Sequence, residues 1–370
     1  MSESIYIRPT GFASSPQSAE GAAIRLAGSM VYADRFAVIR TENGTVVSRE
    51  LCSVSSLEGT ISELPDSLQE EASKQWQALK TIHEPLQLGE RTIRLDQPQI
   101  MGILNVTPDS FSDGGEFLEN PEHGQAHASA MLEAGAAIID IGGESTRPGA
   151  AATWEGDEKE RVVPAVEYCA SMGAAISVDT RRAGVLEAAL AAGAHAANDV
   201  SAMRYDPRSY EVAAGSECPV ILMHAPGSGD DLHEGGEYVN VVFDVFDALR
   251  AFRDAAVDAG VASEKIVLDP GIGFGKTLAE NLALINALPL FHALGHPLML
   301  GISRKRMIGA LSNEAGAHER LGGSVALATL GMNAGVHIIR VHDVAETVQA
   351  RNVWRGTRDA ALTDFSDQCD

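Results

Sequence analysis

The sequence is poor in the features that stabilise secreted and membrane-bound proteins. Only four of its 370 residues are cysteine, and Cys52, Cys169, Cys218 and Cys369 form neither a CxxC pair nor another metal-ligand spacing. We therefore expect reduced thiols in a cytoplasmic protein. No apolar run is long enough to cross a bilayer, and the first residues lack a signal-peptide profile.

Positive charge is also scarce. The chain has 28 Lys and Arg against 51 Asp and Glu, which gives a formal net charge of −23. Nucleic acids and anionic membranes are bound by clustered cations, so we expect neither as a partner. Any anionic ligand must instead be held by a few local cations.

Short apolar runs that end in a polar or charged residue are present in abundance. Stretches of helical composition separate them, and buried parallel strands joined by helices have this pattern. Eight such units predict an α/β fold, a (β/α)8 TIM barrel whose active site lies at the carboxyl ends of the strands. The runs cover residues 100–104, 136–139, 174–178, 195–197, 220–223, 266–268, 298–302 and 336–339.

Glycines at a constant position support the same architecture. A helix-like stretch ends in glycine just before an apolar run five times, where a left-handed residue would close the helix. These glycines are Gly135, Gly173, Gly193, Gly260 and Gly335.

The chain is longer than the roughly 250 residues of one such barrel. We assign residues 1–90 to a small N-terminal α+β extension of unknown role and residues 91–370 to the barrel domain. In the extension we predict strands at 5–8, 36–40 and 45–48, a hairpin turn at Asn43-Gly44 and an amphipathic helix over 67–82.

Two polar loops follow the first two predicted strands. The first runs from Asn105 to Gly115, and its Asn, Thr, Asp and Ser oxygens suit a hard cation such as Mg²⁺, although an ordinary surface turn has a similar composition. In the second, Arg147 stands between Thr146 and Pro148, which suits a guanidinium held out toward a carboxylate or phosphate.

Two carboxylates and an amide end three further strands. Asp179, Asn198 and Asp269 are able to read the aminopyrimidinone edge of a flat heterocycle, since a carboxylate accepts two parallel N–H bonds. The alternative for Asp179 is capping of the following helix. The glycine-rich segment 270–277 lacks the first glycine of a P-loop, so we interpret Phe274 as the wall of a ring-binding pocket.

The local cations that an acidic chain needs follow the last two strands. Ser303 and Lys305 come after the seventh strand, and Arg340 and His342 lie at the end of the eighth. Barrels often bind phosphate at this position. Arg340 and His342 alternate along a strand and so point to the same side, which is the barrel mouth if Val341 faces the helices. Helix-end or surface charges are the alternative interpretation.

These motifs, taken in order, resemble the dihydropteroate synthase family of folate biosynthesis. The resemblance covers about residues 91–356. The matching segments are Asn105-Val-Thr-Pro-Asp-Ser-Phe-Ser-Asp-Gly-Gly, Asp140-Ile-Gly-Gly-Glu-Ser-Thr-Arg-Pro-Gly, Ser177-Val-Asp-Thr, Asn198-Asp-Val-Ser, Leu268-Asp-Pro-Gly-Ile-Gly-Phe-Gly-Lys-Thr, Ser303-Arg-Lys and Arg340-Val-His-Asp.

The resemblance implies an enzyme that joins 6-hydroxymethyl-7,8-dihydropterin diphosphate to 4-aminobenzoate, with diphosphate leaving before the amine attacks. It implies Asp113, Arg147, Lys305, Arg340 and His342 as catalytic residues. Asp140 and His224 are given supporting roles. The implied pterin residues are Asp179, Asn198, Met223, Asp269, Phe274, Gly301 and Lys305.

The remaining implied sites surround the pterin site. Mg²⁺ and diphosphate would be held by Asn105, with Arg340 and His342 on the diphosphate. The implied aminobenzoate residues are Thr146, Arg147, Pro148 and Ser303, with Phe111, Ser112 and Asp113 on a loop that closes over them. A homodimer is implied by the resemblance alone.

Two other functions remain open. A pterin-dependent methyltransferase would use the same barrel and pterin residues, but it has no aminobenzoate or diphosphate to hold. A catalytically silent pterin-binding or scaffold protein stays open because the N-terminal extension is unexplained. Loss of Asn105, Arg147, Lys305 or His342 would be its sequence signature, and all four are present.

Overall fold

The computed structural model describes residues 3–15, 21–107, 121–146 and 153–362. Within these ranges, no helix is long and apolar enough to cross a membrane.

Eight parallel strands form the barrel that the sequence predicts. The strands are β7 (Gln99–Asn105), β8 (Ile138–Gly142), β9 (Ile176–Asp179), β10 (Ala196–Asp199), β11 (Val220–Met223), β12 (Ile266–Asp269), β13 (Met299–Gly301) and β14 (Ile338–Val341). They pair in the spatial order β12-β11-β10-β9-β8-β7-β14-β13, and a parallel bridge between Leu268 and Leu298 joins the two ends of the sheet.

Helices connect these strands on the outside of the barrel. All five predicted helix-terminating glycines have positive φ, between 68° and 111°, so the expectation of left-handed helix ends is confirmed. The helices are α3 (Pro121–Glu133), α4 (Glu155–Ser171), α5 (Ala183–Ala192), α6 (Ser209–Ser216), α7 (Val241–Asp258), α8 (Leu278–Asn286), α9 (Arg306–Leu311), α10 (Leu321–Asn333) and α11 (Val344–Ala361).

The N-terminal extension contains an antiparallel sheet and two helices. The predicted hairpin is present, with Asn43 and Gly44 at φ 50° and 79° between paired strands, as a two-residue turn of this kind requires. The elements of the extension are β1 (Glu3–Ala13), β2 (Ile24–Arg25), β3 (Tyr32–Glu42), β4 (Thr45–Ser53), α1 (Val54–Ser62) and α2 (Asp66–Ala78). These strands are longer than predicted, and α1 was not predicted.

The predicted helix over 67–82 is shorter in the structure, where α2 ends at Ala78. Its buried face includes Leu68, Ala72 and Trp76, as the spacing indicated. Ile82, assigned to the same face, is 68% exposed because the chain has left the helix by that point.

A small hairpin closes the amino ends of the barrel strands. It consists of β5 (Leu86–Leu88) and β6 (Arg91–Ile93), and the division proposed after residue 90 falls in its turn. Side chains of this hairpin pack with residues from the start of the barrel strands in one buried cluster. The extension therefore reaches the end of the barrel opposite the predicted active site.

The extension also packs against the side of the barrel. Tyr6 stacks on Phe243 of α7 with ring centroids 4.2 Å apart, and its hydroxyl donates a hydrogen bond of 2.8 Å to Asp247. His337 Nε2 donates to the carbonyl of Ala27 at 3.0 Å, and both groups are buried. The extension and barrel share one hydrophobic core.

Candidate active site

A cavity of about 840 Å³ opens at the carboxyl ends of the barrel strands. Glu144 and His233, which the sequence did not single out, also line it. The predicted residues on its wall are Asn105, Thr146, Asp179, Phe274, Gly301, Ser303, Lys305, Arg340 and His342.

Arg340 forms the charged centre of this cavity. Its Nε donates to Asp140 Oδ2 and its Nη2 to Asp179 Oδ2, each at 2.6 Å. The Asp140 carboxylate is completely buried, which agrees with its supporting role. One ion-pair network therefore joins a residue predicted for the diphosphate to one predicted for the pterin.

The Asp179 side chain lines the cavity and does not cap a helix. The following helix begins only at Ala183, whose backbone N–H donates to Asp206 Oδ2 at 3.0 Å, and the N-cap residue Arg182 makes no side-chain capping bond. Burial raises the pKa of Asp179 to about 7; the Asp140 carboxylate acts in the same direction, and the Arg340 guanidinium opposes both.

Three predicted pterin residues lie outside the cavity lining. Asn198 Nδ2 donates to Asp140 at 3.0 Å, while its Oδ1 is buried with no partner among the described residues. Asp269 accepts from the backbone N–H of Gly271 at 2.7 Å, and burial raises its pKa to about 6. Met223 packs in a small buried cluster with Phe274.

Lys305 and Phe274 form one wall of the cavity. The Lys305 ammonium lies 4.5 Å from the centre of the Phe274 ring, a cation–π arrangement. Burial lowers the pKa of Lys305 to about 8, although the Asp269 carboxylate favours its charged form.

The loops after β13 and β14 are tied together by side chains. The Ser303 hydroxyl oxygen accepts from the backbone N–H of His342 at 3.2 Å, and the His342 ring lies at hydrogen-bond distance from the same oxygen. Arg304 pairs with Asp343 at 2.5 Å. This second tie was not predicted, since both residues were read only as parts of motifs.

Lys276, which gave the segment its P-loop appearance, is directed into the protein. Its Nζ donates to the carbonyls of Gly271 and Phe274 at 2.8 and 3.0 Å, and it lies 3.0 Å from His224 Nδ1. Gly271 has φ +66°, and a Cβ there would lie 1.8 Å from the His224 carbonyl oxygen. Lys276 therefore holds the loop that carries Phe274 against the end of β11.

A buried network of charges that the sequence did not reveal holds the loops after β8 and β9. Glu144 accepts from Arg181 at 2.8 Å and from Arg182 at 2.9 Å, and Arg182 also donates to Glu158 at 2.6 Å. Glu144 further accepts from the backbone N–H of Thr153 at 3.2 Å. Thr153, which follows segment 147–152, is thus bonded to the carboxylate of Glu144, which precedes this segment.

His233 is a second cavity residue without a sequence signal. Its ring stacks on Phe274 with centroids 5.3 Å apart, and its Nδ1 accepts from the N–H of Gly275 at 3.1 Å. Only the fold brings this loop histidine to the aromatic wall.

Five predicted site residues lie outside the described residues, as does one of the four cysteines. Cys52, Cys169 and Cys218 are free and buried, as expected. The site residues concerned are Phe111, Ser112, Asp113, Arg147 and Pro148, and the cysteine is Cys369.

The comparisons with known proteins agree with this geometry. The model of a family described as pterin binding enzyme matches residues 101–342. The dihydropteroate synthase of Escherichia coli K12 is 45% identical over 270 residues, which are 73% of this chain and 95% of that protein.

This chain belongs to the dihydropteroate synthase family.

Solved structures of the dihydropteroate synthase family have the same fold. The Xanthomonas albilineans enzyme with 4-aminobenzoic acid has a TM-score of 0.69 at 42% identity, covering 75% of this chain and 98% of that one. The Burkholderia cenocepacia enzyme complexed with 7,8-dihydropteroate has a TM-score of 0.69 at 38% identity, covering 76% and 98%. The resemblance carried by the motifs is confirmed, while the family model leaves out the first 100 residues.

Proposed function

We propose that this chain is a transferase that condenses 6-hydroxymethyl-7,8-dihydropterin diphosphate with 4-aminobenzoate, giving 7,8-dihydropteroate and diphosphate for folate biosynthesis. The observation that carries the proposal is the single cavity lined by Asn105, Asp179, Lys305, Arg340 and His342, in a chain that matches family members over almost their whole length.

The pterin head group is bound by Asp179, Asn198, Asp269 and Lys305. A carboxylate accepts paired N–H groups from an aminopyrimidinone edge, and the partnerless Oδ1 of Asn198 is a further acceptor for such a ligand. Phe274 offers its ring as the flat wall against the heterocycle, Met223 packs in the same buried cluster as Phe274, and Gly301 also lines the cavity.

The diphosphate is held by Arg340 and His342, with Mg²⁺ at Asn105. The donor set fits this ion, because Mg²⁺ uses one or two protein oxygens, keeps several waters and takes substrate phosphate oxygens. A Cβ placed on Gly142 would lie 3.6 Å from Asn105 Oδ1, so glycine there leaves room beside the proposed ligand atom. The bound ion supplies charge neutralisation for the departing diphosphate.

The second substrate occupies the outer part of the cavity. Ser303 and Thr146 line it, and we assign Arg147 and Pro148 to the same site because they directly follow Thr146 in sequence. Phe111, Ser112 and Asp113 are proposed to act as a loop over it, with the Asp113 carboxylate stabilising positive charge on the pterin.

Departure of diphosphate ahead of amine attack agrees with the charges around the cavity. An aromatic amine is a weak nucleophile, whereas a pterin methylene cation is stabilised by its ring nitrogens. The Arg340 cation lowers the cost of the leaving charge, while the Asp179 and Asp269 carboxylates, which we assign to the pterin, favour positive charge on it. Slow diphosphate release from the pterin substrate without aminobenzoate is therefore expected, and its absence would favour concerted attack.

The direct test is incubation of the full chain with the dihydropterin diphosphate, 4-aminobenzoate and Mg²⁺. We expect equal amounts of diphosphate and dihydropteroate. A folded protein that binds pterin without forming product would instead be the catalytically silent alternative.

The methyltransferase alternative has less support. It gives no role to Arg340 and His342, which line the cavity and are assigned to the diphosphate. Product formation with aminobenzoate, with no methyl transfer from a methylated pterin, separates the two reactions.

We also propose a cytoplasmic homodimer. Leu321, Leu330 and Val353 on the last two helices are 38–64% exposed, which suits a helical interface between copies. Light scattering would give twice the chain mass of 39.0 kDa for a dimer.

A further inference from the structure

A second cavity, of about 270 Å³, lies between the N-terminal extension and the last helix. Arg25, Tyr32, Arg94 and Asp96 line it from one side, and Arg355 and Arg358 of α11 from the other. Arg94 and Asp96 precede β7, so this cavity is near the amino ends of the barrel strands, opposite the candidate active site.

Positive charge exceeds negative charge at this cavity. Four arginines line it, whereas Asp96 is the only carboxylate among its described lining residues and already accepts from Arg94 Nε at 3.0 Å. The Arg355 guanidinium lies 3.4 Å from Asp359, an ion pair whose side chains are both 52% exposed. This concentration is unusual for a chain of net charge −23.

Two of the four guanidiniums have no carboxylate within 4.0 Å among the described residues. Arg25 Nε donates to the carbonyl of Ser29 at 2.7 Å, and the Arg358 guanidinium lies 5.6 Å from the Trp354 ring centre. Arg351 lies one turn before Arg355, and its pKa is lowered by burial and by the Arg355 charge. An anion bound in the cavity would supply a counterion to Arg25 and Arg358, which have no carboxylate at this distance among the described residues.

The lining also limits the kind of anion. Guanidinium groups bind phosphate and carboxylate oxygens through paired N–H donors, and several groups around one cavity favour a ligand with more than one charge. The volume is below the range of ordinary cofactor pockets, which begins near about 300 Å³. A small oligoanion therefore fits better than a nucleotide-sized ligand.

We propose that the cavity formed by Arg25, Arg94, Arg355 and Arg358 is a binding site for a small oligoanion carrying two or more phosphate or carboxylate groups. The site is separate from the proposed diphosphate site, and it joins the extension to the barrel.

The test is titration calorimetry on the full chain at fixed ionic strength, with inorganic tripolyphosphate and citrate as probes. The double variant Arg355→Gln, Arg358→Gln removes two of the four positive charges that line the cavity. The double variant Lys74→Gln, Arg208→Gln removes two exposed charges elsewhere and is the matched control. Lys305→Gln removes a cation that lines the active-site cavity, and thermal unfolding checks that all variants are folded.

We expect saturable binding of at least one probe, weakened about tenfold or more in the cavity variant and unchanged in the control and in Lys305→Gln. The preferred probe distinguishes phosphate from carboxylate. Equal affinity in the two double variants, loss of binding in Lys305→Gln alone, or no saturable binding of either probe would overturn the proposal.

Discussion

At the scale of single residues, Asp140 influences the candidate site indirectly. It is completely buried and accepts from both Arg340 and Asn198. Asp140 is not itself among the residues that line the cavity, so its effect on a substrate must pass through the orientation of these two partners.

Replacing Asp140 with Asn should reduce kcat/KM by about 10- to 100-fold with little loss of secondary structure, because Arg340 loses one of its two fixed partners. Asp254→Asn, at an exposed ion pair, is the control. Steady-state kinetics measure the effect. Unchanged kinetics in Asp140→Asn would leave the residue with a purely structural role.

Asp179→Ala and Lys305→Ala should each lose pterin binding and activity while the protein remains folded, since both side chains line the cavity and are not part of the apolar core. Calorimetry with the pterin substrate and circular dichroism provide the two readouts. Retained turnover in either variant would refute its assignment.

Pterin affinity should depend on pH in a bell-shaped manner. The ionised form of Asp179 is the acceptor, and its pKa is about 7, so affinity should rise as the pH increases through 7. The charged form of Lys305 is lost as the pH passes its pKa of about 8, so affinity should fall above that value. Binding measured from pH 5.5 to 9.5 tests this, and a flat profile would argue against both groups.

Among structural elements, the loops at the carboxyl ends are held by charges from different parts of the chain. The Glu144 side chain is 4% exposed and accepts from Arg181 and Arg182, which are 4% and 7% exposed. Breaking a buried pair leaves an uncompensated charge, which costs more than the loss of a surface ion pair.

Glu144→Gln should therefore destabilise the protein by about 3–5 kcal/mol. We expect a fall in Tm on the order of 10 °C for a chain of this size. Glu187→Gln, at the exposed pair with Arg208, should change stability by less than about 1 kcal/mol. Thermal unfolding compares them, and equal Tm values would show that the buried network adds nothing.

Local patterns predicted these elements better than the contacts between them. The apolar runs located all eight barrel strands, but the strands include Asp140, Asp179 and Asp269, because a side chain directed into the barrel mouth need not be apolar. Ile82 continued the helical spacing past the end of α2. The Glu144 network had no local signal, since its members lie up to 38 residues apart.

For the whole molecule, the central question is whether the extension folds together with the barrel. Residues of the extension belong to the same hydrophobic core as the barrel, and Tyr6 of β1 is only 2% exposed where it packs against α7. One cooperative transition is expected from such a shared core.

Tyr6→Ala should lower the stability of the whole protein by about 3–5 kcal/mol, while Tyr6→Phe removes only the hydrogen bond to Asp247 and should cost about 1 kcal/mol. Calorimetry would show a single transition that moves to lower temperature in both variants. A separate early transition that alone responds to Tyr6→Ala would mean that the extension unfolds independently.

The Arg340–Asp179 ion pair has a consequence for how substrate enters under the proposed roles. A pterin edge that takes the Asp179 carboxylate removes one counterion from Arg340, and the diphosphate at the other end of the same molecule replaces it. Each half of the substrate thus prepares the protein for the other half. A pterin alcohol or free diphosphate, each offering only one half of this exchange, would bind far more weakly than the intact molecule.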